Sequence, residues 1–202
     1  MAVFIDVETA PVSLKDLPPE NKAYLAEKSK NKRSGKIIDG ENYGAGAIGK
    51  FELSKIICCC IKKDDEEIIN AYIGDEKELI KEVFEQLVGQ DHVIGFNHIS
   101  FDLPMIKMRG LIHGLHTTMP FGIKSWSERY IDVRYQLTGQ FGVGNLPYWC
   151  RVFSIIPPRW ELEDKSNLDK YPIEDVVKGC REDVRATAEL YNKLNNQLKE
   201  NK

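Results

Sequence analysis

Apolar residues open the chain and then recur in two distinct rhythms. Ala2 to Val7 form a β-branched-rich run into which acids enter only at the carboxyl end, the pattern of a central strand buried on both faces. From Pro11 to Lys50 the pattern dissolves: Pro18, Pro19, a lysine-rich run and Gly40, Gly44, Gly46 and Gly49 predict a long connection, with a short helix around Asn21 to Lys28. Two strands, Ser54 to Lys62 and Glu67 to Ile73, flank the acidic turn Lys63 to Glu66 and predict a hairpin. Gly74 and Asp75 then introduce a helix over Glu76 to Leu87, where Leu79, Ile80, Val83, Phe84 and Leu87 recur at helical spacing until Gly89.

His92 to Gly95 reads as a short buried strand. After the connection Asn97 to Ser100, Leu103 to Leu111 reads as a helix with Pro104 in its first turn, where a missing N–H costs little. Arg129 to Arg134 predicts another strand, Leu146 to Phe153 a helix ended by Pro157 and Pro158, and Glu161 to Lys170 a loop. The last helix runs from Ile173 to about Leu198, with an interruption expected near Gly179. This order predicts an α/β fold with a mixed sheet flanked by helices.

At 202 residues the chain suits one domain, 1–202, with an inserted loop segment at about 11–50. Its net charge of −3 says little about partners, but the average hides a basic segment containing Lys28, Lys30, Lys32, Arg33 and Lys36. The amino terminus lacks the basic start and apolar stretch of a signal peptide, and no apolar run approaches the roughly 20 residues that cross a bilayer. A cytoplasmic protein without a membrane partner is expected. Five cysteines make an odd count, and Cys58, Cys59 and Cys60 are consecutive, so that neighbours on a strand face opposite ways. Three such thiols do not converge on one ion, and Cys150 and Cys180 read as helix-face packing residues.

Carboxylates carry the candidate chemistry. Asp6 and Glu8 are two positions apart on the first strand, so both leave the same face while Val7 points the other way. Asp102 opens a helix just after a short strand, and Asp183 lies within the last helix. Alone, Asp102 reads as a cap and Asp183 as a solvated helix residue. Together they furnish the acidic patch that phosphoryl chemistry with two ions roughly 4 Å apart requires.

The stretches Phe-Ile-Asp-Val-Glu-Thr, Ile-Gly-Phe-Asn-His-Ile-Ser-Phe-Asp-Leu-Pro-Met-Ile and Gly-Cys-Arg-Glu-Asp-Val-Arg-Ala-Thr-Ala-Glu-Leu resemble the three motifs of the DEDD (DnaQ-like) superfamily of 3′→5′ exonucleases. The similarity is greatest to stand-alone relatives of the proofreading domain of family-B DNA polymerases. This resemblance implies a ribonuclease-H-like fold with a five-stranded mixed sheet. It also implies two divalent cations, Mg²⁺ or Mn²⁺, at Asp6, Glu8, Asp102 and Asp183. Asp6 would bridge both ions, Glu8 and Asp183 would help hold the one that activates water, and Asp102 would hold the other beside the leaving group. Thr9, Asn97, Phe101 and Lys178 stand as candidate substrate-binding residues. The expected activity is 3′→5′ hydrolysis of single-stranded or frayed ends, DNA before RNA, releasing nucleoside 5′-monophosphates. A separate DNA polymerase or replication protein is an expected partner.

One position departs from the pattern. The superfamily carries a Tyr four residues, or a His five residues, before the last acid; here those positions hold Gly179 and Lys178. Lys178, Tyr171 or Glu182 then stand as candidates to orient the attacking water, or the ions alone suffice at a reduced rate, since general-base assistance is worth about 10²–10⁴-fold. On that view Gly179→Tyr is expected to raise the rate where the site is otherwise intact. The alternative is a non-catalytic protein that binds or scaffolds nucleic-acid ends. Among the remaining features, Trp126 is a candidate stacking surface, whereas Tyr130, Tyr148, Trp149 and Trp160 read as core or rim packing. His98 reads as a motif-internal hydrogen-bonding residue, His113 and His116 as surface residues, and Asp132 as a strand-end cap.

Overall fold

The computed structural model describes residues 1–13, 15–23, 50–64, 66–117, 119, 127–139, 142–160, 162 and 165–200. The basic segment, Trp126 and most of the helix expected around Asn21 to Lys28 lie outside these residues. The strands are β1 (Ala2–Pro11), β2 (Ser54–Lys63), β3 (Ile69–Ile73), β4 (His92–Gly95) and β5 (Tyr130–Asp132). The helices are α1 (Glu76–Leu87), α2 (Asp102–Ile112), α3 (Val133–Thr138), α4 (Leu146–Val152) and α5 (Ile173–Glu200), with a 3₁₀ turn at Lys165–Lys170.

The five strands lie in the order β3-β2-β1-β4-β5. β1 pairs antiparallel with β2 and parallel with β4, while β2–β3 is antiparallel and β4–β5 parallel. This is the mixed sheet of a ribonuclease-H-like α/β fold, as the sequence predicts. Alternation along β1 sorts the core. Val3, Ile5 and Val7 face Leu79, Ile80 and Val83 of α1 and Leu103 and Ile106 of α2. On the other side, Phe4, Cys58, Cys60 and Ile94 pack against Val176, Cys180, Val184 and Leu190 of α5. Asp6 and Glu8 share the parity of Phe4, which turns them toward the α5 side of the sheet.

Three expectations need correction. The strand expected over Arg129 to Arg134 ends at Asp132, because its carboxylate accepts hydrogen bonds from the Arg134 and Tyr135 amides and starts α3 there. The segment Glu161 to Lys170 contains the 3₁₀ turn as well as loop. Helix α5 runs unbroken through Gly179. A glycine inside a helix costs roughly 1 kcal/mol relative to alanine, and here the space it leaves is filled by an indole ring.

His113 is also not a free surface residue: its Nε2 lies 2.7 Å from Glu76. Glu76, at the first turn of α1, accepts from the Ile56 amide of β2 at 2.7 Å and from Arg109 Nε of α2 at 2.8 Å. Burial opposes the charge on Glu76, but Arg109, His113 and the Ile56 amide outweigh it and hold its pKa below the usual carboxylate value. The Glu76 and Arg109 side chains are 10% and 9% exposed. Glu76→Ala leaves a buried guanidinium unpaired and is expected to cost about 3–5 kcal/mol, read as a lower denaturation midpoint in urea.

Candidate active site

The site grows from a mismatch in strand length. β4 pairs with β1 only at Ala2, Val3 and Phe4. Beyond Phe4 that edge of β1 is open, and the Val7 amide donates to Asp102 Oδ1 at 2.9 Å. Asp102 is the first residue of α2, where the helix amino terminus favours a carboxylate. Its side chain is thereby fixed on the backbone between Asp6 and Glu8.

The loop that leads into α2 is tightly held. Asp132 accepts from the amides of Asn97 at 3.0 Å and Ile99 at 3.2 Å, besides capping α3. It is therefore the cap expected from the sequence. His98 is fully buried, with Nε2 3.2 Å from the Val93 carbonyl and Nδ1 3.7 Å from Asp132, an internal role. Gly95 makes room for it: a Cβ there would lie 2.6 Å from His98 Cβ.

From the other side α5 supplies Cys180 and Asp183. Cys180 Sγ lies 3.4 Å from Asp6 Oδ2. Ligand atoms of Asp6, Glu8 and Cys180 all fall within 4.8 Å of one another. Burial pushes the Asp6 pKa well above its ordinary value, and the negative charges of Asp102, Glu8 and Asp183 push it further. The four acids named from sequence are therefore close enough to repel through Asp6. Asp102 is pushed up to about 6, chiefly by burial, against the opposing pull of His98 and the Val7 amide.

Asp6 and Asp183 open onto a cavity of about 900 Å³ that Asn97, Arg134, Arg151 and Trp160 also line. Asn97 has a left-handed backbone, φ 65°, and its Oδ1 accepts from Arg134 Nη1 at 2.9 Å. The other candidate substrate contacts are not among the residues that line this cavity. Thr9 is half-buried on β1 beyond an irregularity in the β1–β2 register, Phe101 packs against the α1–α2 core, and Lys178 is exposed on α5. Tyr171 packs against the α5 core, and Glu182 pairs with Arg185 at 3.1 Å.

Trp160, expected to be packing, lines this cavity and donates from Nε1 to Asp183 Oδ2 at 2.8 Å. Its ring lies over Gly179, where a Cβ would meet the ring carbons at 2.5 Å. An aromatic residue supplied from a loop thus occupies the space that a side chain at position 179 would need. A tyrosine placed at 179 and the Trp160 ring would compete for one volume. Arg134 and Arg151 also went unnoticed in the sequence; the spacing of Arg134 two residues after Asp132, at a strand end, was the available signal.

The fold is a mixed α/β sheet whose central strand carries Asp6 and Glu8. Residues 50–136 match the model of a family described as a predicted 3′-5′ exonuclease related to the exonuclease domain of PolB. That segment contains Asp102, while Asp6, Glu8 and Asp183 lie outside it. Among solved structures, the chain is similar to the family B DNA polymerase from the hyperthermophilic archaeon Pyrobaculum calidifontis, with a TM-score of 0.62 and 16% identity. The match covers 96% of this chain and 24% of that polymerase, so the chain spans about a quarter of its length. No curated protein matches the sequence. The family match and the structural match support the relationship to PolB-type, DnaQ-like exonuclease domains read from the three motifs.

Two outcomes follow from this geometry. Gly179→Tyr must displace Trp160 from Asp183 or distort α5, an overpacking cost of about 1–3 kcal/mol, so its melting temperature should fall; an unchanged melting temperature would show that the ring moves freely. Asp102 has a folded pKa of about 6 against 3.8 for the ordinary group. Between these values the unfolded chain has released a proton that the folded one keeps, so this group makes stability fall as pH rises from about 4 to about 6. Asp102→Asn should flatten that slope in melts made in EDTA, and added Mn²⁺ should oppose it in the parent protein.

Proposed function

We propose that this protein is a metal-dependent 3′→5′ exonuclease that trims single-stranded or frayed nucleic-acid ends, DNA before RNA, and releases nucleoside 5′-monophosphates. The observation that carries this reading is the convergence of three acids on Asp6 beside an open, arginine-lined cavity. Like charges gathered at a buried carboxylate are costly unless a cation joins them. Their donors are oxygens, which suit a hard ion such as Mg²⁺ or Mn²⁺.

Asp6, Glu8, Asp102 and Asp183 would hold two such ions. Divalent ions bound there would neutralise a phosphodiester and lower the pKa of water. Asp102, locked by the Val7 amide, and Asp183, held by the Trp160 N–H, keep their carboxylates oriented before any ligand enters. Arg134 and Arg151 supply positive charge to the phosphates of the entering strand, and Asn97, fastened to Arg134, faces the terminal nucleotide. The cavity is of the size that small-ligand sites occupy, roughly 300–1,000 Å³. A DNA polymerase or other replication protein is the partner that this activity would serve.

The decisive assay is digestion of 5′-labelled single-stranded DNA and RNA of one sequence with Mg²⁺ or Mn²⁺, beside Asp6→Ala. A ladder shortening from the 3′ end and absent in the variant is expected. Strand binding without a ladder under either metal would instead assign an end-binding protein on the same fold.

A further inference from the structure

A second ligand set shares a corner with the carboxylates. Strand alternation sets the three consecutive cysteines on opposite faces, and Cys59 packs on the α1–α2 side. Cys58 and Cys60, however, share the opposite face and meet Cys180 of α5 there. All three are free thiols, fully buried, with their sulfurs within 4.8 Å of one another. The convergence that residues 58–60 cannot achieve alone is achieved by two of them with a third from the last helix.

We propose that Cys58, Cys60 and Cys180 form a binding site for a thiophilic divalent cation such as Zn²⁺ or Cd²⁺, with Asp6 beside it at Cys180. The spacing is the reason. Around a tetrahedral Zn²⁺, metal–sulfur bonds of about 2.3 Å and metal–oxygen bonds of about 2.0 Å put sulfurs roughly 3.8 Å apart and sulfur and oxygen roughly 3.5 Å apart. The Cys58 and Cys60 sulfurs are 3.9 Å apart, and Cys180 Sγ is 3.4 Å from Asp6 Oδ2. Three sulfurs select a soft ion over Mg²⁺, whose preference is for oxygen. Each thiol releases its proton to solvent as it becomes a ligand. Entry is through Asp6, which lines the open cavity while the thiols lie behind it.

The two ligand sets meet at Cys180, whose sulfur lies 3.4 Å from Asp6 Oδ2. Resting on the exonuclease reading, a soft ion held at Cys180 sits against Asp6, weakens the hold on the hard ions there and slows the nuclease, which makes the cluster an inhibitory metal sensor. The binding itself is independent of that reading and is tested without nucleic acid. The reduced protein is titrated with Cd²⁺ in the presence of excess Mg²⁺, following the thiolate-to-metal absorption band and the ¹¹³Cd resonance. One equivalent should bind with the intensity of three thiolates and a resonance position typical of sulfur-rich coordination. Cys58→Ser and Cys180→Ser should each lose binding at least tenfold, Cys59→Ser should retain it, and Asp6→Asn should shift the resonance. Absence of a band in the parent protein, or a resonance typical of oxygen coordination, would overturn the proposal without reference to any variant. So would a band that survives Cys180→Ser.

Discussion

The hydrogen bond from the Val7 amide to Asp102 joins two elements that the sheet leaves unjoined, and the rest of the site depends on it. β1 has ten residues and β4 has four, so the parallel pairing ends while β1 continues. An amide left on an open edge inside the protein needs an acceptor, because an unpaired buried N–H costs about 1–3 kcal/mol. A carboxylate at the start of the next helix provides it. That helix start is fixed in turn by the loop over Asn97 and Ile99, whose amides are fastened to Asp132 on the neighbouring strand. Position is therefore passed from β5 through the loop to α2 and on to the backbone between Asp6 and Glu8.

This rigidity opposes what charge alone would do. Four carboxylates free to move would separate and solvate; here strand parity sets two of them, a backbone hydrogen bond the third, and an indole N–H the fourth. The fold holds a like-charged cluster against its own repulsion, and the raised pKa values of Asp6 and Asp102 express that cost. Stability given up at the site is offset elsewhere, in the two apolar layers and in buried pairs such as Glu76 with Arg109. Such an arrangement is expected where a cation supplies the missing charge.

Much of this was legible in the sequence because the informative patterns are local. The helical periodicity across the twelve residues of α1, the short buried run of β4 and the spacing of Asp6 and Glu8 on one strand each report on their own element. What escaped is contact between distant segments. Cys58 and Cys60 at alternate positions announce a shared face, but nothing local tells that Cys180 meets them there. The end of β5 was misplaced because Asp132 caps a helix from within a run that reads as strand. Trp160 was misjudged for the same reason as Cys180: its role is set by a partner 23 residues further on.

The pairing of Trp160 with Gly179 gives the departure from the family pattern a physical content. A tyrosine on the helix would bring a hydroxyl that both donates and accepts, whereas an indole N–H only donates. Trp160 spends that donor on Asp183, so it can orient the carboxylate but cannot take a proton from water or position water by accepting a hydrogen bond. The ring also comes from the segment before the 3₁₀ turn and not from α5, so its placement depends on how that segment packs against the helix. Gly179 is what lets the segment approach, because any side chain there would meet the ring. Under the proposed exonuclease reading, orientation of the last acid is therefore separated from activation of the water. A glycine in place of the tyrosine would then withhold an assisting group while leaving the hold on Asp183 in place, the condition under which such an enzyme would slow without becoming inert.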